Sequence, residues 1–282
     1  MNHRNEASNN EDIRPGLTAL VLAASRKGIE DPVASHAGKT HKCLVEVDGI
    51  AMIQRVIQVL IDSGLCRNIL VSIESEDILR QVPRVAEWLD QGRVGIASSS
   101  SNLADSVLRL RERKESPVPL LITTADNALH TGALVTHFID RSLAGDADIS
   151  VGVTREATVR EQFPDDPIGF FRFRDGGYSF CNLFMIRSVA ALATAEVFRS
   201  GGQFRKRPWR ILGAFGVINL VLYRLRLTTL EACLGRIGRN FGIKVAPVEI
   251  PWAYAPIDAD NPTTLHFSER ILRQRREQGD QN

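Results

Sequence analysis

The sequence predicts an α/β protein built on a three-layer, doubly wound, mostly parallel sheet, and three observations predict it. Short apolar, β-rich runs alternate with amphipathic helical stretches through the first half of the chain. Several of those runs break into small or polar residues, as strands do where a Rossmann-like sheet opens toward a ligand. The 282 residues, 44% of them hydrophobic, suffice to bury a full core as one domain. Residues 1–15 read as a flexible polar lead-in without the apolar centre of an export signal. Residues 16–276 read as a single domain, with an elaborated stretch at about 155–240 where the simple alternation ends.

Taken in order, Thr18 to Ala24 is a buried strand that breaks into Ser25, Arg26, Lys27 and Gly28. Leu44 to Val47 is a short extended piece, Asp48-Gly49 a turn, and Ala51 to Ser63 a helix with Met52, Ile53, Val56, Ile57, Val59 and Leu60 on one broad face, capped by Gly64. Asn68 to Ile73 is a second strand. Ser75 to Asp90 is a second helix, with a break or kink at Pro83. Val94 to Ala97 is a strand running into four serines, Ser98 to Ser101, and then a helix from Leu103 to Lys114. Val118 to Thr123 is a strand ending at Thr124, Ala125 and Asp126; Thr131 to Arg141 is helical and Asp148 to Val153 extended. Gly169 to Phe173 and Tyr178 to Phe184 form a hairpin about the turn Arg174 to Gly177, expected to wall the mouth of the sheet. Ser188 to Arg199 is a helix. Thr228 to Asn240 is another, with Thr228 and Glu231 as a capping box. Lys244 to Ile250 is the last strand and Thr263 to Arg276 the last helix.

Charge and cysteine usage exclude several functions. With 35 Lys and Arg against 33 Asp and Glu there is no basic field for nucleic acid, so an anion site must be local. The four cysteines, Cys43, Cys66, Cys181 and Cys233, lack the spacing of a zinc site and read as reduced thiols of a cytoplasmic protein. No run is long enough to cross a bilayer. Ile211 to Tyr223 is apolar between basic flanks and reads as a buried helix or a homodimer contact, with peripheral membrane contact as the alternative.

Chemistry concentrates at the ends of the strands. Small residues leaving the first strand let backbone N–H groups approach a ligand, and Arg26, Lys27 and Lys42 surround that exit, which suits a phosphate-bearing guest. Here the sequence resembles a known family. Leu22, Ala23 and Ala24, then Lys42, Leu44, Gly49, Met52 and Ile53, are similar to the L-A-A-G-x-G-x-R, K-x-L and G-x-P-[LM]-[IL] segments of the MobA-like NTP transferases, the molybdopterin guanylyltransferase and sugar-phosphate nucleotidyltransferase type. Ser25 stands where that family usually has Gly, and Ala51 where it usually has Pro.

The resemblance implies a nucleotide-diphospho-sugar transferase type of fold and a Mg²⁺-dependent nucleotidyltransferase. Its partners would be a nucleoside triphosphate, CTP or GTP by preference, and a phosphorylated small molecule such as a polyol or sugar phosphate. A molybdopterin or other cofactor precursor is the alternative acceptor, and an inactive nucleotide-binding regulator the alternative function. Lys42, Arg26 and Asp126 take the catalytic roles. Leu22, Ala23, Ala24, Ser25, Arg26, Lys27, Lys42, Ser98, Asn102, Ser106, Thr124 and Ala125 line the nucleotide, while Asn182, Arg205, Lys206 and Arg207 face the acceptor. Asp126, Asp258 and Asp260 are the metal ligands.

Each role has a plainer competitor. Asp126 follows a strand directly, where a carboxylate meets a metal–phosphate complex, but Asp is also a common helix N-cap. Asp258 and Asp260, at alternate positions of an extended segment, point the same way, yet Asp260 could simply cap the last helix. The serines at 98–101 are as good a loop as a nucleotide contact, and the 205–207 cluster as good a solvated turn as a phosphate site.

Overall fold

The computed structural model describes residues 16–24, 31–98, 118–165, 168–194 and 216–279. Strand β1 (Leu17–Leu22) alternates between two cores. Ala19 and Val21 face one side with Ile53 and Ile57, while Leu20 faces the other with Leu70 and Ile122. Burial on both faces is what a central parallel strand requires.

Helix α1 (Pro32–His36) starts at Asp31, whose carboxylate accepts from the amides of Val33 and Ala34. A single 3₁₀ turn, Lys42–Leu44, leads into the two-residue strands β2 (Glu46–Val47) and β3 (Ile50–Ala51), which pair across the Asp48-Gly49 turn. Helix α2 (Met52–Asp62) follows with the predicted apolar face buried, and Gly64 beyond it has φ +65°. Strand β4 (Cys66–Ile73) precedes helices α3 (Glu76–Arg80) and α4 (Pro83–Asp90), so Pro83 breaks the expected helix and starts the second piece. Strands β5 (Val94–Ser98) and β6 (Leu120–Thr124) are followed by helix α5 (Gly132–Ala144) and strand β7 (Ile149–Arg155). Helix α6 (Glu156–Gln162), which the sequence reading left out, precedes β8 (Phe171–Phe173) and β9 (Gly176–Ile186). Then come α7 (Val189–Thr194), α8 (Val217–Arg224), α9 (Leu230–Asn240), β10 (Val245–Glu249) and α10 (Pro262–Glu277).

The result is a mixed, mostly parallel sheet of eight strands flanked by helices, in the order β10-β7-β9-β6-β1-β4-β5, with β8 paired to β9 alone. Pro247 lies in β10 at the sheet edge, where its missing N–H leaves no central ladder bond unmade. Register sets the carboxyl ends of four strands level: Leu22 pairs with Ser72 and with Thr124, and Ile73 with Ser98. The carboxyl ends of β1, β4, β5 and β6 thus lie level along one edge of the sheet, where such sheets take their ligands.

The hairpin forms about the predicted turn, but it does not wall that mouth. β9 runs antiparallel between β6 and β7 inside the sheet, because its residues are buried along most of its length and need cover on both faces. Three smaller corrections follow from local chemistry. The cap of α9 is Thr229, whose hydroxyl accepts from the Ala232 amide, while Thr228 is buried and bonded to Arg236. The described part of the apolar 211–223 run is not buried: Val217, Ile218 and Val221 of α8 are exposed, and its inward side holds Asn219 against the Cys233 carbonyl. Among the described residues no helix is long and apolar enough to cross a membrane. The predicted lead-in 1–15 and helix 103–114 lie outside the described residues, as does the whole 195–215 stretch with its end of the Ser188 helix.

Candidate active site

Four charged side chains from distant parts of the chain meet at the mouth. Lys42 stands on the 3₁₀ turn, which is anchored by the buried side chains of Cys43, Leu44 and Val45, so its position is set by packing rather than by a flexible loop. Its Nζ lies 2.5 Å from Asp126 Oδ2 and also donates to Asp260 Oδ1. Asp126 directly follows β6, where Thr124 donates its hydroxyl proton to Asp126 Oδ1. The N-cap of α5 is Thr131 and that of α10 is Asn261, so neither Asp126 nor Asp260 is a helix cap.

Asp258 and Asp260 arrive through the segment before α10, and three contacts pin that segment to the loop after β6. His130 Nε2 donates to the Ala255 carbonyl at 3.0 Å, and the hydroxyls of Thr131 and Tyr254 lie 3.2 Å apart. Arg275 stacks 3.8 Å over the Tyr254 ring while donating to the Leu129 carbonyl. The Ala259 amide then donates to the Asp126 carbonyl at 3.2 Å, and Ala259 itself is buried. Its two neighbours are thereby held at the site. One carboxylate oxygen from each of Asp126, Asp258 and Asp260 lies within 4.8 Å of the other two.

Two amides tie the acids together. Asn182 Nδ2 donates to Asp258 Oδ2 at 3.1 Å and to Asn127 Oδ1 at 3.4 Å. Asn127 in turn donates to the carbonyl and, at 2.5 Å, to the hydroxyl of Thr124. The path Asp258–Asn182–Asn127–Thr124–Asp126 is continuous. Asn182 reaches it from an irregularity in β9: Val151 pairs with Phe184 and Val153 with Phe180, so two steps along β7 face four along β9. Asn182 sits in the middle with φ +50°, a left-handed conformation that asparagine tolerates better than most residues.

The electrostatics follow from this crowding. Burial alone would lower Lys42, but the charges of Asp126 and Asp260 and their hydrogen bonds outweigh it and hold the ammonium above the usual lysine range. Burial would raise Asp126; the charge of Lys42 and hydrogen bonds from Lys42 and Thr124 outweigh that and hold it below the usual carboxylate range. Asp258 has no such partner. Burial first, then the Asp260 and Asp126 charges, push it up to about 6.

Of the residues named from the sequence, Lys42, Thr124, Asp126, Asn182, Asp258 and Asp260 come together here. Leu22, Ala23 and Ala125 form the floor, with Ala125 N bonded to Leu22 O and Ala23 N to Ser72 O. Ala24 is exposed beside them, and Ser98 ends β5 on the same side of the sheet. Ser25, Arg26, Lys27, Asn102, Ser106, Arg205, Lys206 and Arg207 lie outside the described residues. Sequence reading missed Asn127 and His130. Asn127 directly follows Asp126 in the sequence, the only signal it left.

The profile of the MobA-like NTP transferase domain matches residues 19–241. No curated protein sequence matches the chain significantly. Among solved structures, a hypothetical transferase from Thermus thermophilus is similar over 89% of this chain and 99% of its own, at 20% identity and a TM-score of 0.71. The 4-diphosphocytidyl-2C-methyl-D-erythritol synthase of Anaerococcus prevotii is similar over 92% of this chain and 98% of its own, at 12% identity and a TM-score of 0.54. At these identities the likeness is one of fold.

Proposed function

This chain belongs to the MobA-like NTP transferase family and is a nucleotidyltransferase, and from that premise we propose that it transfers a nucleoside monophosphate from CTP or GTP to a phosphorylated small molecule, a polyol or sugar phosphate. An oxygen of the acceptor phosphate attacks the α-phosphorus of the triphosphate. The bond from that phosphorus to the bridging oxygen breaks, and pyrophosphate leaves with the electron pair. The acceptor is already an anion, so no side chain has to become a covalent nucleophile.

The observation that supports this reading most is the meeting of Lys42 with Asp126, Asp258 and Asp260 at the carboxyl ends of the parallel strands. The donor set fits Mg²⁺: three carboxylates offer hard oxygens, and a cation, the Lys42 ammonium, already sits among them. Asp258, raised first by burial and then by the Asp260 and Asp126 charges, stands among negative charge that a divalent cation would relieve. When bound there, Mg²⁺ would supply positive charge to offset that of the triphosphate and of the departing pyrophosphate. Asp126, Asp258 and Asp260 would hold it, and Asn182, Asn127 and Thr124 would keep those carboxylates aimed.

Lys42 adds a positive charge where negative charge grows on the phosphates during transfer, which favours the transition state over the ground state. The loop after β1, where the sequence places Arg26 and Lys27, would cradle the triphosphate. Asn182, level with the mouth, would add an acceptor contact to its hold on Asp258. The shared fold with a diphosphocytidyl-methylerythritol synthase makes CTP the first donor to try. Retention of Lys42 and all three aspartates in one cluster favours catalysis over an inactive regulator.

The test is pyrophosphate release over a panel of triphosphates and phosphorylated acceptors, molybdopterin among them. We expect turnover with CTP or GTP and loss of about a thousandfold or more in Asp126→Ala. Full activity in that variant would remove the metal assignment, and no turnover with either triphosphate would remove the donor assignment.

A further inference from the structure

An ammonium cannot share a place with a divalent cation, and here it occupies the place that cation needs. Lys42 Nζ touches Asp126 at 2.5 Å and Asp260 as well, two of the three residues whose oxygens converge within 4.8 Å. An ion that binds these same carboxylates competes with Nζ, because the two cations repel and the lysine has only donors to offer. We propose that Lys42 is the counter-ion of these carboxylates in the metal-free protein, and that it must give up Asp126 and Asp260 before a divalent metal binds, which hands its charge to the triphosphate. This rests on the metal reading given above and adds an order of events to it.

Three features support the exchange. Asp258 lies outside the lysine's grip and is held by the neutral Asn182 amide, so the cluster keeps a carboxylate able to meet an incoming cation first. The backbone of Lys42 is fixed by Cys43 and Leu44 in the core, so the change is confined to a side chain with four rotatable methylenes. Once released, the ammonium stands at the carboxyl ends of the strands, beside these three carboxylates. With those taken by metal, the phosphates of the donor are its natural counter-charge. Metal and triphosphate then help one another to bind, each by freeing the lysine from the other's way.

The exchange predicts that removing the lysine's charge tightens metal binding while it abolishes transfer. Mn²⁺ serves as the probe, with free Mn²⁺ followed by electron paramagnetic resonance in the absence of nucleotide. Wild type, Lys42→Met and Lys42→Arg are compared, with Asp126→Asn as the binding-deficient control. Lys42→Met should bind Mn²⁺ about tenfold or more tightly than wild type, and Lys42→Arg, which keeps the competing charge, should stay weak. Thermal unfolding supplies a second readout, since Lys42→Met leaves the half-buried Asp126 without its cation. It should be less stable than wild type without Mn²⁺ and gain more from saturating Mn²⁺. Equal or weaker Mn²⁺ binding by Lys42→Met would overturn the exchange, because the lysine would then be organising the carboxylates rather than competing for them. If wild type fails to bind Mn²⁺ with and without a non-hydrolysable triphosphate, the metal reading falls and the exchange with it.

Discussion

Asn127 is almost wholly buried and uses both ends of its amide: two donations to Thr124 and one acceptance from Asn182. It touches neither the proposed metal nor the substrates, yet it sets the direction of the residues that hold Asp126 and Asp258. Residues that orient metal ligands are commonly worth about 10–100-fold in metal affinity or activity. Asn127→Ala is therefore expected to raise the half-saturating Mg²⁺ concentration by about that factor. Asn127→Asp, which keeps the shape but turns the donor into an acceptor, should do the same, so steady-state kinetics over a metal series separates orientation from bulk. Asp126 was legible in the sequence because it directly follows a buried strand. Asn127 was not, since a polar residue after such a strand is equally good turn chemistry. Thr124 was read as a nucleotide contact; its hydroxyl donates to Asp126.

At the scale of elements, the site depends on how the segment before α10 is fastened to the loop after β6. His130 is the buried pin, its Nε2–H held by the Ala255 carbonyl, with Asp126 and Arg275 the charged groups acting on it. Burial lowers it from 6.5 to about 4; the Ala255 bond and Asp126 oppose that, and Arg275 adds to it. The folded protein thus keeps His130 neutral where the unfolded chain would protonate it. Its contribution is present above about pH 6.5 and is lost as pH falls toward 4, by about 3 kcal/mol in all. Denaturant unfolding over that window should show the loss, and His130→Gln, which keeps a donor without titrating, should show a shallower slope. The hairpin turn at Arg174 to Gly177 was legible from its residues. That β9 lies between β6 and β7 was not, because alternation along a strand reports two buried faces and says nothing of which strands flank it.

For the molecule as a whole, the alternation of strands and helices announced the parallel part of the sheet, and the breaks of those strands into small or polar residues set the expected place of a ligand. What stayed illegible was the long-range pairing, β9 beside β6 and Ala259 beside Asp126, which no local pattern encodes. The cysteines were read as reduced, and all four are free thiols in the structure. Burial pushes Cys43 and Cys181 up to about 12 and Cys66 up to about 11, and raises Cys233 as well. Since only the thiolate reacts, iodoacetamide at mildly alkaline pH should label the native protein slowly and the denatured protein at four sites; rapid native labelling would contradict this burial.

The backbone bond from Ala259 to Asp126 has a consequence for how the cell reads this chain. Lys42 and Asp126 are in place once the sheet has formed, but Asp258 and Asp260 come only with the final stretch of polypeptide. A translation product stopped at Pro251 would carry most of the scaffold with one carboxylate of the proposed metal site in place of three. Such a fragment is expected to bind no Mn²⁺ in a paramagnetic resonance titration. Premature termination then yields a silent protein rather than a miscoupled enzyme that squanders nucleotide.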